Sequence, residues 1–138
     1  MKLSFIMTKN VITVGMDTFL NTICKIFDEK KFHHLLVLED NEICGVISDR
    51  DLLKALSPFL NTAAEQNRDL ATLKRRAHQI MSRNLITVTE DVDVDDAAQL
   101  MIRENISCLP VISSDGQIEG IVTRTDILKV CSEHAFAG

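Results

Sequence analysis

The sequence predicts a mixed α/β (α+β) protein built from two copies of one strand, helix, strand, strand, helix unit. Three observations lead there. First, Ile6-Met7-Thr8-Lys9-Asn10-Val11-Ile12-Thr13-Val14 returns as Ile80-Met81-Ser82-Arg83-Asn84-Leu85-Ile86-Thr87-Val88, displaced by 74 positions. Second, Gly45-Val46-Ile47-Ser48-Asp49-Arg50-Asp51-Leu52-Leu53-Lys54 returns as Gly120-Ile121-Val122-Thr123-Arg124-Thr125-Asp126-Ile127-Leu128-Lys129, displaced by 75. Matches in one order and near-constant register mark a duplicated supersecondary unit. The added residue enters most simply at the turn Ser114-Asp115-Gly116. Third, each copy alternates short apolar runs with a helical stripe.

The elements follow in order. Val11 to Val14 is short, β-branched and apolar, and reads as a strand. Leu20, Ile23, Cys24 and Phe27 fall at i, i+3, i+4 and i+7, one stripe of a helix running to about Lys31. Leu35 to Leu38 and Ile43 to Ile47 read as a hairpin around the polar turn 39–42, and a helix opens at Asp49 and runs to Leu56. The second copy repeats the order: a strand at Leu85–Val88, a stripe of Val94, Ala97, Ala98 and Met101, strands at Leu109–Ile112 and Ile118–Val122, and a helix from Arg124. Asp93 suits an N-cap, its carboxylate accepting from a first-turn amide, better than its counterpart Phe19. Ser57-Pro58 stops the first copy. The 3, 4, 3 spacing of Leu70, Leu73, Ala77 and Ile80 predicts an extra helix before Met81, and 59–69 reads as a polar loop. The predicted organisation is a first repeat over 1–57, a partly helical connector over 58–77 and a second repeat over 78–138.

The chain has 138 residues, which suits one compact domain split by the repeat into two half-size units. A unit of roughly 60 residues is marginal alone, so a shared core is expected. The net charge of −5 argues against nucleic acid or an anionic membrane surface as the main partner. Lys74-Arg75-Arg76 reads as a solvated helix face. No apolar run reaches the roughly 18 residues of a membrane span, and no secretory signal is evident. Cys24, Cys44, Cys108 and Cys131 are scattered without a CxxC pair, which fits free thiols in a reducing cytoplasm.

Gly-φ-φ-[Ser/Thr]-x-x-Asp occurs once per copy, where a strand hands over to a helix. Ser48…Asp51 and Thr123…Asp126 each fit a capping box. The same geometry also suits a nucleotide. A helix N-terminus favours phosphate, Arg50 and Arg124 in the first turn add charge, and an aspartate there can accept from a ribose diol. The two readings are compatible.

With these motifs in place, both copies resemble cystathionine-β-synthase-type (CBS) repeats, and the chain is similar to a tandem CBS pair, or Bateman module. The resemblance covers about 4–56 and 78–131. It rests on the Ile6–Val14 opening, the strand starts His34-Leu35-Leu36-Val37 and Cys108-Leu109-Pro110-Val111, and both Gly-φ-φ-[Ser/Thr]-x-x-Asp turns. It implies two βαββα repeats packed sheet to sheet with pseudo-twofold symmetry, frequent homodimerisation into a disc, and adenosine-containing ligands in two clefts.

Carried over by position, one cleft would use Thr123, Thr125 and Asp126, walled by Thr13 and His33-His34-Leu35. The other would use Ser48, Arg50 and Asp51, facing Thr87 and Ser107-Cys108-Leu109-Pro110. Asp51 and Asp126 would hold ribose hydroxyls; Ser48, Arg50, Thr123 and Thr125 would lie towards phosphate; strand backbone near Thr13 or Thr87 would read adenine. Two departures stand out. Leu36 replaces the family's usual proline, and Cys108 stands where copy one has His34. The clefts are therefore unlike, and the Asp126 cleft, complemented by the two histidines, is favoured.

Other candidates carry less. His33 and His34 are adjacent, so on a strand they point to opposite faces and do not chelate one metal. His78 and His134 are isolated, which predicts no metal site. No nucleophile motif or close carboxylate dyad predicts catalysis. The acidic stretch 90–96 reads as helix capping and solubility; Met7, Met81 and Met101 read as core or interface filling.

The resulting expectation is a non-catalytic regulatory module binding AMP, ADP, ATP, S-adenosylmethionine or an NAD-type ligand, with no other cofactor required. A homodimer acting on a separate target protein is expected. The alternative is a ligand-free dimerisation adaptor. Little sequence follows the second repeat beyond Ser132, so output would fall on another chain unless this one is part of a longer protein.

Overall fold

A computed structural model of the chain describes residues 1–30, 32–83 and 85–137, with side chains to Glu133. The helix end expected at Lys31, Asn84 of the repeated opening, and the His134 side chain lie outside the described residues. The chain is a mixed α/β fold with two sheet-bearing units. The first unit is Ile12–Leu85; the second joins Met1–Val11 to the chain from Ile86 onward.

In the first unit, β1 (Thr13–Gly15) runs parallel to β2 (His34–Glu39), which pairs antiparallel with β3 (Glu42–Ser48). Helix α1 (Leu20–Lys30) crosses between β1 and β2, and α2 (Asp49–Ala55) leaves β3 directly. The stripe works as expected: Leu20 and Ile23 are fully buried with Leu35, Val37 and Ile47. Strand β1 starts two residues later than expected.

The connector differs from the sequence reading. The stripe Leu70, Leu73, Ala77, Ile80 forms no continuous helix. It is divided into α3 (Asn67–Ala71), a 3₁₀ turn at Thr72–Lys74, and α4 (Ala77–Ile80). Arg75 and Arg76 break it by adopting extended backbone. There the Arg75 carbonyl accepts from Leu20 N at 2.8 Å, and Ala77 N donates to the Thr18 carbonyl at 2.8 Å, tying the connector to the start of α1. Arg76 also lies 4.6 Å over the Phe19 ring. Tertiary pairing overrides helical propensity here.

In the second unit, α5 (Val94–Glu104) precedes the hairpin β4 (Cys108–Ile112) and β5 (Ile118–Thr123), and α6 (Arg124–Ala137) follows. Val94, Ala97 and Met101 are buried with Leu109, Val111 and Val122. The strand expected at Leu85–Val88 shrinks to one parallel bridge, Val88 with Val111. Val88 N donates to the Pro110 carbonyl at 3.1 Å, and Ile112 N donates to Val88 O at 2.8 Å. The cause is Pro110. In the first unit Leu36 N donates to Ile12 O at 3.0 Å; Pro110, at the matching position, has no N–H to give. Asp93 is the second correction: it occupies the N-cap of α5, but its carboxylate makes no capping bond.

Each unit is completed by the other repeat's opening segment. Thr8 exchanges both backbone bonds with Ile121, at 2.9 Å each, and Ser82 does the same with Val46 at 2.8 and 3.0 Å. Two glycines make the space. A Cβ on Gly45 would lie 2.3 Å from Met81 Sδ, and one on Gly120 would lie 2.8 Å from the Thr8 carbonyl and 3.0 Å from Met7 Sδ. Close backbone approach is one reason a strand carries glycine. Met81 is buried in the first unit's core and Met7 packs against the second's, so both methionines fill interior space.

Candidate functional site

In each unit the motif residues gather where the hairpin meets the following helix. His34 is registered opposite Ser48, and His33 O accepts from Asp49 N at 2.9 Å. In the second unit Cys108 is registered opposite Thr123, and Ser107 O accepts from Arg124 N at 3.0 Å. Thr13 sits beside Leu36 on the neighbouring strand. Thr87 immediately precedes the Val88 bridge. Thr13, Thr87 and Thr125 are exposed, whereas Pro110 is fully buried and shapes the strand.

Both turns are closed by capping boxes. Asp51 N donates to Ser48 Oγ at 3.1 Å, and Ser48 N donates to Asp51 Oδ2 at 2.9 Å. Asp126 N donates to Thr123 Oγ1 at 3.3 Å, Thr123 N donates to Asp126 Oδ2 at 2.9 Å, and the Thr123 hydroxyl also donates to Oδ2 at 3.0 Å. Each box satisfies orphan amides of a helix start, a contribution of about 1 kcal/mol. In both carboxylates only Oδ2 is used; Oδ1 takes no hydrogen bond from the described residues. The cap therefore fixes an aspartate whose second oxygen can still accept from an outside donor.

The two turns differ in charge. Helix α2 starts with Asp49, Arg50 and Asp51, and α6 with Arg124, Thr125 and Asp126. Arg50 is exposed without a hydrogen bond from the described residues. The Arg124 guanidinium is folded back, Nε donating to Ile106 O at 3.2 Å and a terminal nitrogen to Asn105 Oδ1 at 3.4 Å. Asn105 offers that oxygen from a left-handed C-cap position after α5. In its present rotamer Arg124 braces the second unit's own loop.

One pair escaped the sequence reading. His33 Nδ1 and Asp49 Oδ2 lie 2.8 Å apart. The hydrogen bond to His33 holds the Asp49 carboxyl below its ordinary range, against partial desolvation. The available signal was the register itself: a hairpin pairing His34 with Ser48 brings the residues just outside it together.

The comparisons follow this geometry. The family model for the CBS domain matches residues 3–58 and 77–133. The chain belongs to the CBS domain family. Among relatives, a CBS domain-containing protein of Dictyostelium discoideum is 38% identical over 128 residues, spanning 89% of this chain and 86% of its own. Among solved structures, the CBS domain pair of protein MJ0100, in complex with 5-methylthioadenosine and S-adenosyl-L-methionine, is 29% identical with a TM-score of 0.79. That match covers 97% of this chain and 98% of the other. The structure of CBSX2 in complex with AMP is 25% identical with a TM-score of 0.74, covering 97% and 98%. Similar CBS pairs thus carry adenosyl ligands. Among the described residues of this CBS pair, no group of three or more His, Cys, Asp or Glu side chains is placed to hold a metal, and no helix is long and apolar enough to cross a membrane.

Proposed function

We propose that the chain is a non-catalytic sensor of an adenosine-containing ligand, acting in the cytoplasm as a homodimer on a separate target protein. The observation that carries this is the doubled capping box, with an unused Asp51 or Asp126 oxygen at each turn, in a chain similar to pairs solved with 5-methylthioadenosine, S-adenosyl-L-methionine or AMP. In this reading Asp126, with Thr123 and Thr125, and Asp51, with Ser48 and Arg50, hold ribose and the groups beyond it, and Thr13, His33, His34, Thr87, Ser107 and Pro110 are the other ligand-binding candidates. Bound ligand shifts the module between arrangements only by its differential affinity for them.

The test is a thermal-shift panel of AMP, ADP, ATP, S-adenosylmethionine and NAD(H). A ligand at 100 times its dissociation constant adds about 2.7 kcal/mol of stability. Asp126→Asn is the informative variant, because the amide oxygen keeps the cap while an N–H₂ replaces the outward acceptor. Retained stability with lost shift supports the reading. No shift from any compound at millimolar concentration, with self-association intact, supports a dimerisation adaptor instead.

A further inference from the structure

The two turns match residue for residue until the helices begin, and there they diverge. His34 is registered opposite Ser48 and Cys108 opposite Thr123. Asp49 is therefore the counterpart of Arg124, and Arg50 the counterpart of Thr125.

The first residue of each helix is already engaged with the loop before the hairpin. Asp49 N donates to His33 O at 2.9 Å, and the Asp49 carboxylate lies 2.8 Å from His33 Nδ1. Arg124 makes the same connection with opposite chemistry. Its N donates to Ser107 O at 3.0 Å, its Nε to Ile106 O at 3.2 Å, and a terminal nitrogen to Asn105 Oδ1 at 3.4 Å. Asn105 holds that oxygen in place from left-handed backbone, φ 52°, and Ile106 N donates to Met101 O at 3.0 Å. One arginine thus fastens three consecutive loop residues to the start of α6. Swinging its guanidinium to a ligand would forfeit two charge-assisted hydrogen bonds.

The second residue of each helix is uncommitted. Arg50 and Thr125 are exposed, and neither side chain forms a hydrogen bond or ion pair with a described residue. Each directly precedes the aspartate whose Oδ1 is open. Their chemistry differs. A guanidinium offers a planar fork of donors that takes two phosphate oxygens at once, whereas a hydroxyl offers one uncharged donor. The difference lies in donor geometry and not in summed charge. Two carboxylates flank Arg50, but Asp49 Oδ2 faces His33 and Asp51 Oδ2 is held by Ser48 N.

We propose that the two turns sort adenosyl ligands by phosphate: the Ser48–Asp51 turn grips the phosphate of a nucleotide through Arg50, and the Thr123–Asp126 turn takes a compound without phosphate, with Arg124 as a positioning residue. This rests on the sensor reading and adds the ligand class of each turn. The test is isothermal titration calorimetry of the full chain with AMP and, separately, 5-methylthioadenosine. The parent is expected to take one equivalent of AMP per chain. Arg50→Thr should lower the ratio of AMP to 5-methylthioadenosine affinity by about tenfold or more, and Arg50→Lys, which keeps the charge but not the fork, should recover part of it. Arg50 is exposed and unbonded, so the melting curves of these variants should match the parent. Thr125→Arg should add a second equivalent of AMP. Arg124→Gln should weaken 5-methylthioadenosine, and Asn105→Gly, which keeps the left-handed backbone but removes the acceptor, should reproduce that loss without adding to it in the double variant. Equal loss of both compounds in Arg50→Thr, two equivalents of AMP on the parent, or selective loss of AMP in Arg124→Gln overturns the proposal and leaves the sensor reading standing. No binding of either compound removes both.

Discussion

Adding one methyl group at Gly45 tests the exchange of opening segments. The new Cβ would lie 2.3, 2.7 and 2.9 Å from Met81 Sδ, Cγ and Cβ. The sulfur could swing away, but the Met81 Cβ moves only with its backbone. That backbone is held by Met81 N donating to Ala77 O at 3.0 Å and by the paired bonds of Ser82 with Val46. Overpacking of this kind costs about 1–3 kcal/mol. At about 3 °C per kcal/mol for a chain of this size, Gly45→Ala should lower Tm by about 6 °C. Met81→Ala alone leaves a cavity costing about 2–5 kcal/mol. In the double variant the added methyl occupies part of the space that Met81 Cγ and Sδ vacate, so the combined loss should fall short of the sum by at least about 1 kcal/mol. Calorimetry with urea unfolding measures all three. A Gly45→Ala Tm within about 1 °C of the parent, or strict additivity, would refute the packing described. Gly120→Ala should cost more, because its Cβ meets the Thr8 carbonyl, already bonded to Ile121 N at 2.9 Å.

Three further outcomes are expected. Ser48→Ala and Thr123→Val each remove a capping hydroxyl and should lower stability by about 1 kcal/mol by urea unfolding, with Asp51 or Asp126 left in place. The Ser57 hydroxyl, then Gln66 N, hold the Asp69 carboxyl below its ordinary range. A depressed folded-state value contributes stability above the unfolded value and loses it as pH falls through the folded one. Unfolding midpoints should therefore drop in acid, less steeply in Asp69→Asn, and parallel profiles would contradict this. Iodoacetamide should label exposed Cys131 first; Cys24 and Cys44, whose thiols are pushed up chiefly by burial, and buried Cys108 should lag, as peptide mass mapping would show.

What could be read from the sequence was what depends on local spacing. The stripe from Leu20 to Phe27, the hairpin around the turn after Leu38 and both Ser/Thr-x-x-Asp boxes are set within a few residues, and all appear. The broken connector was hidden because Arg75 and Arg76 answer to Thr18, Phe19 and Leu20, far away in sequence. Asp93 shows that a good capping residue need not cap. The shortened second sheet was legible in principle, since Pro110 cannot donate. The His33–Asp49 pair needed register as well as residue identity.

The chain passes between the units at Val11–Ile12 and again at Leu85–Ile86. A gene divided after residue 57 would give two incomplete polypeptides. The front piece would lack Ala77 and Met81 of its own interior, and the rear piece would lack Leu3, which is fully enclosed in the other unit. Each fragment would carry a vacancy shaped for its sibling. The ancestral duplication has become indivisible, and mixing the halves should restore by complementation what neither holds alone.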